Sequence, residues 1–194
     1  MRRLFDFTVA FIGLLVLSPL LLIIGIAIKL HDMGPIFYHT QRVGLNGQLF
    51  GLYKFRTMVR EADVDAPGLT AAEDRRITAL GLFLRRYKLD ELPQLINVLR
   101  GEMSLVGPRP EDPRFVAVYT VDQRKVLTFQ PGITSPASIF FKREEMLLTE
   151  DDWVQKYSER ILPRKLAIDI EYFRNRSMWG DVRVVLRTIS GIIN

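Results

Sequence analysis

The chain has 194 residues, with 27 basic and 22 acidic side chains, a formal charge of +5 and 48% hydrophobic residues. That length suits one domain, and the near-average composition excludes a disordered, collagen-like or coiled-coil chain. The absence of cysteine excludes a disulfide scaffold and a thiolate zinc site. Residues 1–60 hold seven bases and two acids, so the whole charge excess sits beside the longest apolar stretch.

That stretch, Phe7 to Ile28, is 22 residues without a charge. As a helix it would measure about 33 Å, against a bilayer core of about 30 Å. It is too long for the apolar part of a secretory signal peptide and exits through Ala27-Ile28-Lys29. Ser18-Pro19 sits at its middle. Pro19 lacks the N–H that would bond the Leu15 carbonyl, and Ser18 can turn its hydroxyl back one turn. Two topologies stay open: a kinked single crossing, or a re-entrant helix that enters and leaves on one side. Arg2 and Arg3 precede the run, and Lys29, Arg42, Lys54, Arg56 and Arg60 follow it. Positive flanks favour the cytoplasmic side, and here both flanks are positive. Either topology leaves the protein membrane-bound with its polar body cytoplasmic; residues 2 and 60 lie on one face if the helix is re-entrant.

Pro35 to Met58 reads as a β-hairpin turning at Gly44-Leu45-Asn46-Gly47, with Lys54 and Arg56 on one face of the return strand. Residues 61–75 are polar and read as a loop around Pro67-Gly68. Thr78 to Tyr87 has helical spacing, with Leu80, Phe83 and Leu84 toward the core. Glu91 to Leu99 is a second helix, with Asp90 at the N-cap position and Gly101 as its stop. Gly107-Pro108-Arg109-Pro110 must be a rigid, non-helical turn. Helices are then expected over Pro113–Gln130, from Thr149 with Asp152 completing a capping box, from Pro163 to about Asn175, and from a Ser177 cap to the end. The last carries Met178, Trp179, Val182, Val185, Leu186 and Ile189 with Ile192 and Ile193, and Arg183 and Arg187 opposite. That pattern fits an interfacial helix and a buried core helix equally. The fold class is α/β and mostly helical: an N-terminal membrane helix, a small β-hairpin, catalytic helices and amphipathic helices.

Only two histidines exist, His31 and His39, which argues against histidine acid–base work and zinc binding. The informative constellation is Asp90-Glu91. Adjacent carboxylates at a helix start can divide roles, one as nucleophile or base and one holding a hard cation. They also occur at helix starts simply to oppose the dipole. Here Arg85, Arg86, Arg100 and Arg109 surround them in sequence, and Arg109 is clamped between two prolines. Such an arginine loses little entropy on gripping a phosphate, and Lys54 and Arg56 add two donors. Bases converging on two acids near a membrane suggest a phosphate-bearing substrate near lipid.

Tyr53-Lys54-Phe55-Arg56-Thr57-Met58, Leu89-Asp90-Glu91-Leu92-Pro93-Gln94-Leu95, the block from Gly101 to Pro110, and Pro131-Gly132-Ile133-Thr134 closely resemble the bacterial sugar transferases, the monotopic phosphoglycosyl transferases. The likeness runs from the apolar helix to the C-terminus and is to the minimal form, without a multi-span N-terminal region. It implies a re-entrant membrane helix at 1–30 and a catalytic domain at 31–194 lying on the cytoplasmic face of the bacterial inner membrane. It implies Mg²⁺-dependent transfer of a phospho-sugar from a UDP-sugar to polyprenol (undecaprenyl) phosphate, with release of UMP, as the first membrane step of glycoconjugate assembly. Asp90 matches the nucleophile of a covalent aspartyl phospho-sugar intermediate, and Glu91 its acidic partner at the Mg²⁺ site. Lys54, Arg85 and Arg109 match basic positions around phosphate and nucleotide, and Ser18-Pro19 matches the helix break. Asp169 falls in a segment similar to one carrying a functional aspartate; Asp181 is a further acidic candidate. The segment after Thr134 departs from the family pattern, which leaves Lys142 or Arg143 as its basic residue and the sugar's identity open. Membrane lipid is the expected surroundings, and a homodimer is left open.

The competing class is a membrane-anchored basic scaffold for anionic lipid or nucleic acid. The nucleic-acid version fails because residues 61–194 are neutral and the bases form no stripe interleaved with aromatics.

Overall fold

The computed structural model describes residues 2–59, 74–142 and 153–193. The helical and hairpin reading holds. The first element, α1 (Arg2–Asp32), is one helix of 31 residues with Pro19 inside it. Ser18 Oγ donates to the Leu15 carbonyl at 2.8 Å, supplying the acceptor that Pro19 deprives of its N–H. The helix is long and apolar enough to cross a membrane.

Both ends of α1 pack on the rest of the chain. Near its start, Arg3 donates to the carbonyls of Val98 and Leu99, and Asp6 accepts from Ser104 and the Leu105 amide. Ala10 is fully buried in a core with Leu52, Leu95, Val98 and Phe173. Near its end, Ile24 and Ile28 form a second core with Phe55 and Leu84. Between these anchors Leu15, Val16, Leu22 and Ile23 are exposed.

The hairpin pairs β1 (Phe37–Val43) with β2 (Leu49–Phe55) antiparallel, in the register Tyr38 to Lys54 and Thr40 to Leu52. Asn46 and Gly47 both take positive φ in the turn, which asparagine and glycine tolerate best. Next come α2 (Ala79–Arg86), capped by the Thr78 side chain, and α3 (Gln94–Arg100), ended by Gly101 at φ 83°. Strands β3 (Ser104–Val106) and β4 (Gly132–Thr134) form a parallel pair that periodicity did not reveal, each being only three residues long. Their close approach requires glycine: a Cβ on Gly132 would lie 2.0 Å from the Gly107 amide nitrogen. Between them lies α4 (Pro113–Ala117), and after them α5 (Pro136–Phe140), α6 (Trp153–Lys156), α7 (Leu162–Arg174) and α8 (Met178–Ile193). A third core gathers Val43, Phe115, Tyr119, Tyr157, Ile161 and Leu166.

Several expectations need correction. Phe83 is 53% exposed rather than in the core; Leu84 takes the buried position. Pro113–Gln130 is not one helix. It stops after Ala117 and restarts as a 3₁₀ turn at Gln123–Thr128. The restart has its own capping box, in which the Thr120 amide donates to Gln123 Oε1 and the Gln123 amide to Thr120 Oγ1. Pro163 does not begin a separate helix, because a π-helical turn at Tyr157–Ile161 joins α6 to α7. Ser177 does cap α8, accepting from the Gly180 amide at 3.0 Å. That helix buries Asp181 and Val184 on one face and exposes Trp179, Leu186 and Ile189 on the other. The loop expected at 61–75 lies almost wholly, and the Thr149–Asp152 box wholly, outside the described residues, as do the side chains of Ile192 and Ile193.

Candidate active site

The site forms where β2, the end of α2, the start of α3 and the turn after β3 meet. Strand β2 delivers Lys54. After α2, Lys88 takes a left-handed conformation at φ 54°, uncommon for a residue with a Cβ, and the chain turns into a 3₁₀ segment, Leu89–Glu91. Asp90 is therefore not the N-cap of a helix; it lies within the 3₁₀ turn, and Pro93 precedes α3. From the other side, Gly107 to Pro110 is fixed by the Gly132 amide donating to the Pro108 carbonyl at 2.9 Å and the Gly107 amide to Thr134. That turn presents Arg109.

Glu91 is the centre of the cluster. Its Oε1 accepts from Lys54 Nζ at 2.9 Å and from Arg109 Nη2 at 2.6 Å, and its Oε2 from Arg109 Nη1 at 3.3 Å. Arg85 Nε donates to Thr57 Oγ1 at 2.9 Å. Asp90 is buried, and its Oδ1 has no hydrogen-bond partner among the described residues.

The two adjacent carboxylates titrate apart. Burial and the neighbouring Glu91 charge raise the pKa of Asp90 from its ordinary value, against the opposing pull of Lys54, Arg85 and Lys88. Burial also works against Glu91, but Arg109 and Lys54 overrule it and hold Glu91 well below its ordinary value. Desolvation lowers Lys54, with Glu91 opposing. Glu91 is thus an anion already neutralised by two cations, and Asp90 a buried carboxyl with an uncommitted oxygen.

Asn97 and Gln94 add what sequence reasoning missed. Asn97 is fully buried; its Nδ2 donates to the Gly51 carbonyl at 2.8 Å and to Glu102 at 2.7 Å, and its Oδ1 accepts from the Tyr53 amide at 3.0 Å. It ties the strand carrying Lys54 to the helix that follows Glu91. Arg100 lies 4.9 Å over the Tyr53 ring beside it. Apolar spacing gave no signal for them, because Asn97 falls on the polar side of the helix with Gln94 and Arg100, opposite Leu92, Leu95, Ile96 and Leu99.

The remaining candidates lie apart from the pair. Arg56 sits just past β2 and forms an ion pair with Asp32 at the end of α1. Asp169 is buried on α7, where it accepts from the Ala137 amide at 3.1 Å at the start of α5. Asp181 accepts from Arg176 Nε at 2.8 Å and Tyr172 at 3.0 Å and lies 3.9 Å from Arg2, linking α7, α8 and the start of α1. Lys142 is exposed, and Arg143 lies outside the described residues. A cavity of about 400 Å³ between Asp122–Lys125 and α7 contains none of the clustered residues.

No group of three or more acidic or histidine side chains that could hold a cation by itself occurs among the described residues. The Asp90–Glu91 pair fits the looser pattern of Mg²⁺, which uses one or two carboxylates together with substrate phosphates. The unpartnered Asp90 oxygen is the donor such an arrangement leaves available.

The sequence profile described as bacterial sugar transferase matches residues 1–194. The chain is 42% identical, over 97% of its length, to the undecaprenyl-phosphate glucose phosphotransferase of Komagataeibacter xylinus, and covers 35% of that protein. It is 38% identical, over its full length, to the UDP-glucose:undecaprenyl-phosphate glucose-1-phosphate transferase of Escherichia coli K12, covering 40% of it. The chain thus spans well under half of these two relatives. Against the Bacillus subtilis sugar transferase EpsL it is 34% identical over its full length and covers 87% of the relative. Matched from end to end by the profile, and similar over nearly the whole of a short relative, the chain belongs to the bacterial sugar transferase family.

Proposed function

We propose that the chain transfers a phospho-sugar from a UDP-sugar to polyprenol phosphate, releasing UMP, with Asp90 as the nucleophile. The observation that carries this reading is the buried, unpartnered Asp90 oxygen beside a Glu91 held by Lys54 and Arg109. Asp90 attacks the β-phosphorus. The bond from that phosphorus to the oxygen bridging to the α-phosphate breaks, and UMP leaves with the electron pair. An oxygen of the polyprenol phosphate then attacks the aspartyl-bound phosphorus, regenerating the carboxylate and forming a polyprenyl diphosphate sugar. Splitting the transfer lets leaving UMP and entering lipid phosphate use one pocket in turn. A carboxylate approaches a phosphoryl group only where the negative charge is masked, and Lys54, Arg85 and Arg109 provide cationic charge around it. Glu91 and Asp90 would hold Mg²⁺, which supplies further masking of phosphate charge when bound.

Burial also raises the proton affinity of Asp90, which suits a base and thus a direct attack by the lipid phosphate. A phosphate monoester, with its second pKa near 6, is largely ionised at neutral pH and needs little help from a base. The nucleophilic role is therefore preferred.

The membrane reading is a re-entrant α1, both ends on the cytoplasmic face. The packing of its two ends on one body, with an exposed apolar middle, supports it. In this reading the protein sits in the bacterial inner membrane and catalyses the first membrane step of a glycoconjugate pathway.

The test is purified protein with Mg²⁺, a panel of UDP-sugars and undecaprenyl phosphate, read out by UMP release. Asp90→Asn is expected to abolish release, and labelled sugar phosphate to accumulate on the wild-type protein when acceptor is withheld. Release that survives in Asp90→Asn overturns the nucleophile; failure to trap label favours direct attack.

A further inference from the structure

Gln94 is the first residue of α3 and is 2% exposed, yet its amide nitrogen has no hydrogen-bond partner among the described residues. One turn later Asn97, equally buried, has both its donor and its acceptor capacity engaged. The difference is not general looseness of this helix; it is confined to the end nearest Asp90 and Glu91. The backbone between them is right-handed helical, with Leu92 at φ −55°, ψ −35° and Pro93 at φ −60°, ψ −17°. Gln94 therefore stands about one turn from both carboxylates.

Two orphaned atoms thus lie a turn apart, a donor on Gln94 and an acceptor on Asp90, and they do not satisfy each other. Folded proteins leave few buried polar atoms unpaired, and those that persist call for a reason such as a ligand. A ligand complementary to both offers a hydrogen-bond acceptor to Gln94 and an electrophilic atom to Asp90. A phosphoryl group has that form: non-bridging oxygens that accept, around a phosphorus that is attacked. Lys54 and Arg109 each share their charge with Glu91, and Arg85 bonds Thr57, whereas the Gln94 amide nitrogen has no competing bond among the described residues.

We infer that Gln94 is a substrate-binding residue whose side-chain amide donates to a non-bridging oxygen of the phosphoryl group under transfer. This rests on the reading of Asp90 as the group that attacks it. The bond strengthens as charge builds on that oxygen, so its loss falls on the chemical step more than on binding.

The experiment compares the purified full chain with Gln94→Met and Gln94→Glu, using Mg²⁺, a panel of UDP-sugars and undecaprenyl phosphate. Gln94→Met keeps the length and removes an unpaired donor. Its melting temperature is expected to equal or exceed that of the wild type, while kcat for UMP release falls about 10²- to 10³-fold and KM for the UDP-sugar changes little. Gln94→Glu keeps the shape and is expected to lose at least as much, because its charge repels the phosphoryl oxygens. A lowered melting temperature in Gln94→Met, with kcat within about threefold of the wild type, marks a structural amide and overturns the inference. If Gln94→Met does not fold, wild-type kcat in Gln94→Glu overturns it equally. Wild-type protein that releases no UMP from any donor overturns the phosphoryl-transfer reading, and this inference with it; release that is merely unaffected by the substitutions overturns the inference alone.

Discussion

The carboxylate of Asp6 accepts a 2.7 Å hydrogen bond from the hydroxyl of Ser104 in a buried setting, joining the first turns of the apolar helix to the strand that leads to Arg109. At the other end of that helix Asp32 holds Arg56. A helix pinned at both ends to one body keeps its flanks together. Cysteines placed at Arg2 and Met33 are therefore expected to react with a membrane-impermeant reagent from the same side. Labelling from opposite sides would establish a crossing. Pro19→Ala restores an N–H to the middle of the helix and is expected to shift labelling toward opposite sides.

The grip of Arg109 on Glu91 uses two guanidinium nitrogens and both carboxylate oxygens. A lysine keeps the charge and loses the fork. Arg109→Lys is expected to lower kcat/KM for UMP release about 10- to 100-fold, the worth of one charge-assisted hydrogen bond. Activity unchanged in that variant would mean that the second contact contributes nothing.

Asn97 is expected to matter for folding first and activity second. Asn97→Leu leaves the Gly51 carbonyl, the Tyr53 amide and Glu102 short of a partner. A fully buried group so stranded costs roughly 1 to 3 kcal/mol, and these part-buried ones cost less each. Thermal melts in detergent should show a clearly lower transition; a melt equal to that of the wild type would refute the assignment.

Asp169 gives stability a pH dependence. Burial pushes its pKa up to about 7, against the Ala137 amide, the Ser135 hydroxyl and the Lys165 charge, with Glu111 adding to the rise. In an unfolded chain an aspartate titrates near 3.9, so between about pH 4 and 7 the folded protein keeps a proton that the unfolded one has lost. The stabilisation from this group is complete below about pH 4 and is lost as pH rises to about 7, at about 1.4 kcal/mol per pH unit. Asp169→Asn should remove that slope from melts taken across the window. A slope that persists there belongs to another group.

The hairpin, the Ser18 back-bond, the Gly101 stop and the Ser177 cap were legible because each follows from local chemistry within a few residues. So was the placement of Lys54, Glu91 and Arg109 in one cluster, through the motifs that carry them. What was not legible depended on distant partners. Alternation along β2 put Arg56 beside Lys54, but Asp32 from the far end of α1 claims it. An acid before a helix reads as a cap, and only the left-handed Lys88 turns Asp90 inward instead. The β3–β4 pair rests on two glycines in contact, Gly107 and Gly132, from segments far apart in the chain.

The anchoring of α1 also sets an order in time. Along the chain the helix precedes its partners: Ser104 lies 98 residues beyond Asp6, and the Arg176 carbonyl that receives Arg2 lies 174 residues on. Ile24 and Ile28 meet Phe55 and Leu84 early, whereas Arg2 and Asp6 wait for these distant partners. Closing such long loops is what slows folding in chains dominated by distant contacts. The C-terminal half of the helix therefore gains its cover well before its N-terminal end is pinned to the body.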